Sequence, residues 1–166
     1  AHILVCLLGI ADYFKLDLLN FKVDMYEAQR SIFTSTIGNI NTYTALIGMV
    51  SAVSAVLFAT ANKQSKRIFY YISMVISFFA LIMGVSDNAY LSLAALFGLL
   101  PLYLFSTRKG VKAYFVIIAS FFTVVQCVDW INIGMADKVL GIDSAFNLII
   151  NFSGLSTVVL ILWGLT

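Results

Sequence analysis

Residues 42–67 read TYTALIGMVSAVSAVLFATANKQSKR. No charge occurs from Thr42 to Ala61, and Lys63, Lys66 and Arg67 then arrive close together. A half-buried strand would alternate apolar and polar residues with a period of two, whereas this run is apolar on every face. An uncharged run of this length, closed by a basic cluster, reads as a helix that crosses a bilayer.

Outward from it, the runs 68–85, 89–106, 112–128 and 145–166 have the same character, against roughly 17–25 residues needed for a crossing. The run within residues 1–11 is too short for a ~30 Å hydrocarbon core and counts as part of a span. The sequence therefore predicts an all-α, polytopic transmembrane helix bundle. It has five full spans plus part of a sixth at the N-terminus, as one membrane domain over 1–166. Ala1 opens the chain and Thr166 closes it inside an apolar run, so a piece of a longer protein is expected. Composition agrees: 61% of residues are hydrophobic and 11% charged, where soluble domains run nearer half and a quarter. Tyr43, Tyr70, Tyr71, Tyr90, Tyr103, Phe105, Tyr114 and Trp130 lie near the ends of these runs, as in interfacial belts.

The charges supply an orientation. Six of the ten basic residues, Lys63, Lys66, Arg67, Arg108, Lys109 and Lys112, lie in two connections that hold no acid. All eight acids (Asp12, Asp17, Asp24, Glu27, Asp87, Asp129, Asp137 and Asp143) lie in the alternate connections, with Lys15, Lys22, Arg30 and Lys138. The positive-inside rule puts the two basic connections in the cytoplasm. Three segments then face outward: Asp12–Ile40, the turn Ser86–Asn88, and Asp129–Asp143. The first carries Tyr13, Phe14, Leu18, Leu19, Phe21, Met25 and Tyr26 among its charges, a pattern suited to lying along the interface.

Several chemistries have no residues to support them. Cys6 and Cys127 are far apart in apolar runs and read as small hydrophobes. His2 is the sole histidine and is expected near the cytoplasmic face, which leaves no metal set and no cofactor. No phosphate-binding glycine loop or nucleophile elbow occurs, and nothing indicates nucleic acid. No charge sits in mid-membrane, which speaks against a pump or channel. Gly48, Ala52, Ala55 and Ala59 form a small-residue stripe suited to close helix packing. Asn147 and Asn151, one helical turn apart, are positioned to bond across the bundle, and Gln126 is expected near the outer boundary.

The outer face is denser in polar groups. From Arg30 through Thr34, Ser35, Thr36, Gly38, Asn39 and Asn41 to Thr44, small hydroxyl and amide side chains run into the 42–61 helix. Asn39 or Asn41 as an N-cap, with Gly38 making a turn, accounts for part of this run. An arginine with hydrogen-bond donors at a helix N-terminus also suits a pyrophosphate or a sugar.

Gly38-Asn39-Ile40-Asn41, followed by Tyr43 and Ala45, resembles the Gly-Asn-x-Asn signature of the bacterial O-antigen ligase and polymerase family, and the likeness extends over about residues 3–128. That signature opens an outward-facing helix after an arginine, matched by Arg30. Two spans on, where the family shows Ser-Arg-Gly/Ala, this chain reads Ser86-Asp87-Asn88, without the arginine. The resemblance implies a metal-free, membrane-embedded C-type glycosyltransferase in the bacterial cytoplasmic membrane. Its partners would be the bilayer, an undecaprenyl-pyrophosphate-linked glycan and an acceptor glycan, met on the extracytoplasmic side. Arg30 and Asp87 are the implied catalytic residues, one for the pyrophosphate and the other for the acceptor hydroxyl, with Asp87 alternatively an N-cap. Gly38, Asn39, Asn41, Ser86 and Asn88 are the implied substrate-binding residues. The family's large outer loop, with a further arginine and a histidine, would follow Thr166. A polytopic transporter and a non-catalytic membrane scaffold are the alternatives.

Overall fold

A computed structural model describes residues 2–30, 32–142, 147–150 and 152–166. Every regular element among them is helical: α1 (His2–Tyr13), α2 (Glu27–Arg30), α3 (Ile40–Thr60), α4 (Gln64–Met83), α5 (Asn88–Leu104), α6 (Arg108–Gly134), a 3-10 turn (Ala136–Lys138), α7 (Asn147–Ile150) and α8 (Leu155–Gly164).

Local chemistry sets the helix starts. Asn39 is extended (φ −131°), and its side-chain oxygen accepts from the N–H groups of Asn41 (2.9 Å) and Thr42 (3.1 Å), which caps α3. Thr107 caps α6 by accepting from Gly110 N–H at 3.0 Å. Connections of three or four residues link α3 to α4, α4 to α5 and α5 to α6, so these neighbours run antiparallel. The bases of the 61–67 and 105–112 regions therefore collect at one end of the bundle. The end of α1, the start of α3, the α4–α5 turn and the end of α6 share the other, acidic end.

The core lies between α3, α4, α5 and α6, where α3 packs most extensively on α4. Phe78, Phe97 and Phe121, one from each of α4, α5 and α6, form a ring cluster with centroids 5.2–6.4 Å apart. Gly48 of the small-residue stripe meets α5 closely: a Cβ there would fall 2.3 Å from Ser92 Oγ. Pro101 interrupts the backbone ladder of α5, since it has no N–H to offer the Phe97 carbonyl one turn earlier. Tyr114 Oη of α6 donates to that carbonyl at 2.8 Å and takes the missing donor's place.

The expectation of five full spans is not met. Among the described residues, three helices are long and apolar enough to cross a membrane: α3, α4 and α6, of 21, 20 and 27 residues. The 89–106 run yields a helix of 17 residues, about 25 Å at ~1.5 Å per residue, because the chain turns at 105–107. The 145–166 run is divided at 152–154, and α8 retains 10 residues, about 15 Å. Hydropathy sums side chains, whereas crossing requires one continuous backbone ladder, and these turns break it. Of the two residues expected to bond across the bundle, Asn147 and Asn151, the second lies outside the described residues. His2 is also not at the basic end: its Nε2 lies 2.6 Å from Ser73 Oγ, at mid-length of α4, and Ser73 meets Ser54 of α3 at 2.9 Å.

Candidate functional site

The acidic end holds a cavity of about 310 Å³ whose walls come from α1, the 14–39 connection, the end of α4 and the 139–141 segment. Its polar lining is Asp12, Tyr13, Lys22, Arg30 and Thr34. Asp12 stands at the end of an otherwise apolar helix, 11% exposed, and pairs with Lys22 Nζ at 2.8 Å. This is the sole ion pair among the described residues. The second carboxylate oxygen of Asp12 accepts from Ser35 N–H at 2.6 Å, so both oxygens are satisfied.

Local turns deliver the cations. The Asp17 carboxylate accepts from the N–H groups of Phe21 (3.0 Å) and Lys22 (2.7 Å), which fixes the backbone that carries Lys22. Arg30, at the end of α2, donates through Nε to the Met25 carbonyl (2.9 Å) and through Nη2 to the Val23 carbonyl (2.8 Å). Those two bonds hold the guanidinium plane and leave its other N–H groups for a ligand. With two cations and one carboxylate, the lining carries a net positive charge within the acidic end of the molecule.

The floor is built from buried groups. Tyr13 Oη donates to the side-chain oxygen of Asn132 at the far end of α6, and Leu140 N–H donates to the Tyr13 carbonyl at 2.9 Å. Tyr13 is fully buried, and burial pushes its phenol up to about 12, so it remains a donor. Val85, in the lining, has positive φ (47°), as do Lys15 (59°) and Ser35 (55°), which lie close to lining residues in the chain. For the β-branched Val85 this is a strained conformation, held by the surrounding packing, as is common at functional sites.

The residues singled out from sequence divide into two groups. Arg30 lines the cavity; the other six do not. Gly38 adopts φ +81°, which only glycine takes without strain, and it turns the chain into α3. Asn39 is the cap already described. Asn41 and Ser86 come together: Ser86 Oγ donates to Asn41 Oδ1 at 2.8 Å, which joins the start of α3 to the α4–α5 turn. Asn88 N–H approaches Ser86 Oγ at 3.4 Å. Asp87 precedes α5 but makes no side-chain cap bond, and its side chain is exposed. Asp12, Tyr13 and Lys22, which the sequence reading left out, furnish most of the polar lining. The available signal was an acid closing an apolar helix, with bases ten to eighteen residues later.

The fold and this site define a membrane-associated helical bundle with a cationic, half-enclosed cavity at one end. No family model, curated protein or solved structure matches the chain.

Proposed function

We propose that this bundle is part of a membrane glycan ligase or polymerase, and that the cavity receives the pyrophosphate of an undecaprenyl-linked glycan. The observation that carries the reading is the convergence of Lys22 and Arg30 on one cavity beside the spanning helices. Two cations there would stabilise the charge that develops on a pyrophosphate leaving group. The acceptor hydroxyl oxygen attacks the anomeric carbon, and the bond from that carbon to the pyrophosphate oxygen breaks. The hydroxyl proton passes to a carboxylate, a role we assign to Asp87. To Asn41, Ser86 and Asn88, at the neighbouring helix starts outside the cavity lining, we assign the bonding of sugar hydroxyls. On this reading the acidic end faces outward from the bacterial cytoplasmic membrane, an orientation that the charge asymmetry supports.

The test is made in cells that carry the full-length protein. Arg30→Ala, Lys22→Ala and Asp87→Asn should each lower surface-polysaccharide assembly by at least tenfold at equal protein level, and Arg30→Lys should retain part of it. Normal assembly in both Arg30→Ala and Lys22→Ala would refute the reading.

A transporter is the second reading, favoured by the chain of polar groups His2, Ser73 and Ser54 at mid-length of α4. Ionisable and hydroxyl side chains inside a bundle mark ion or substrate paths. Substrate-dependent flux in reconstituted vesicles, abolished by Ser73→Ala, would favour it over the transferase.

A further inference from the structure

The opposite end of the bundle has a charge distribution that the protein itself leaves uncompensated. Lys63, Lys66, Arg67, Arg108, Lys109 and Lys112 gather there, and none has a carboxylate partner among the described residues. Most of them stand at the starts of α4 and α6, where the helix N-termini add positive partial charge and the first turns hold no acid. Such an arrangement favours an anion that comes from outside.

A cavity of about 320 Å³ opens among these helices, with Gln64 and Arg67 toward the basic end and Phe58, Tyr71, Val116 and Trp163 along its wall. The Arg67 guanidinium stacks over the Phe58 ring at 5.0 Å, which orients it without occupying its N–H groups. Tyr71 is tied to Ser120 at 3.0 Å, and Trp163 Nε1 donates to Thr123 Oγ1 at 2.9 Å. Both rings are thereby fixed with their polar atoms turned to α6. The result is a cationic mouth over an apolar wall, the shape of a phospholipid with its phosphate at Arg67 and an acyl chain against Phe58, Val116 and Trp163.

We infer that this cavity is a binding site for an anionic phospholipid of the leaflet at the basic end. Charge complementarity selects the headgroup: a zwitterionic lipid brings no net charge to offset six unpaired cations, whereas a phosphatidylglycerol-type headgroup does. The site is independent of the cavity at the acidic end.

Trp163 lines the cavity and can report on it. The full chain carrying Trp130→Phe, which removes the other tryptophan, is reconstituted in vesicles with dibrominated phosphatidylglycerol or dibrominated phosphatidylcholine. Quenching of Trp163 should show a preference for the anionic lipid of about fivefold or more, the size expected of one basic residue near a membrane surface. Arg67→Gln should bring the two lipids close to parity, Arg67→Lys should keep most of the preference, and Lys112→Gln should weaken it less than Arg67→Gln. Equal quenching by both lipids in the chain with Arg67 intact would overturn the inference, even if the Arg67 variants fail to insert. A preference untouched by Arg67→Gln in inserted protein would also overturn it, because general surface attraction would then suffice. Inorganic phosphate at millimolar concentration should leave the preference unchanged; displacement of the lipid would assign the site to a free anion instead.

Discussion

Tyr114 and Pro101 lend themselves to a quantitative test of how the bundle is held. Tyr114→Phe keeps the ring, and with it the edge-on contact with Phe105 at 5.1 Å, while removing the hydroxyl that donates to the Phe97 carbonyl. That carbonyl has no helical donor because residue 101 is proline. Interhelical hydrogen bonds in membranes average about 0.6 kcal/mol and reach about 1.7, and an orphaned buried acceptor costs roughly 1–3 kcal/mol. We expect Tyr114→Phe to destabilise by about 1–1.5 kcal/mol. In a Pro101→Ala background the restored N–H can take the Phe97 carbonyl, and Tyr114→Phe should then cost only about 0.5 kcal/mol or less. The coupling, about 1 kcal/mol, is measured by a double-mutant cycle. Reversible unfolding in mixed micelles, followed by tryptophan fluorescence, provides the four free energies. An equal cost of Tyr114→Phe in both backgrounds would refute the account of the Pro101 gap.

Three further outcomes are expected. Asp12→Ala removes the partner of Lys22 and the acceptor for Ser35 N–H, and should lower stability by about 2–3 kcal/mol in the same unfolding assay; Asp12→Asn, which keeps an acceptor, should cost less. Gly48→Ala should destabilise by about 1–3 kcal/mol, because the new methyl meets Ser92, and Ser92→Gly in the same chain should recover part of the loss. The Tyr13 phenol, raised to about 12 in the fold, contributes stability that is complete below the ordinary tyrosine range near pH 10 and is lost as pH rises through 12. In a difference titration at 295 nm between the unmodified chain and Tyr13→Phe, the Tyr13 phenolate should therefore appear near pH 12; ionisation near pH 10 would show that it is not buried.

Much of the architecture was legible because helix formation in an apolar run is a local matter. The 42–61 run became α3, and of the two cap candidates, Asn39 and Asn41, Asn39 is the cap. The basic connections met at one end because short links force antiparallel neighbours. Crossing length was less legible. The turns at 105–107 and 152–154 divide stretches whose hydropathy alone looks continuous, so α5 and α8 fall short of a span. The Gln126 side chain, expected near the outer boundary, bonds Asp129 (3.1 Å) and Ser156 (2.7 Å).

For the candidate site the division is sharper. Gly38, Asn39 and Asn41 could be picked out from sequence because caps and turns are made by residues a few positions apart. Arg30 could be picked out as a cation, but its place beside Lys22 and Asp12 could not. Asp12 and Ser35 are twenty-three residues apart, and Asn41 and Ser86 forty-five; nothing in either local pattern encodes the meeting. The sequence by itself determined an all-helical, bilayer-compatible chain with a basic end and an acidic end, since these follow from side-chain hydrophobicity and charge order. The tertiary structure alone decided which helices are long enough to cross. It also decided that a buried carboxylate, a lysine and Arg30 share one cavity, because those facts depend on where the backbone turns and on which distant helices then pack together.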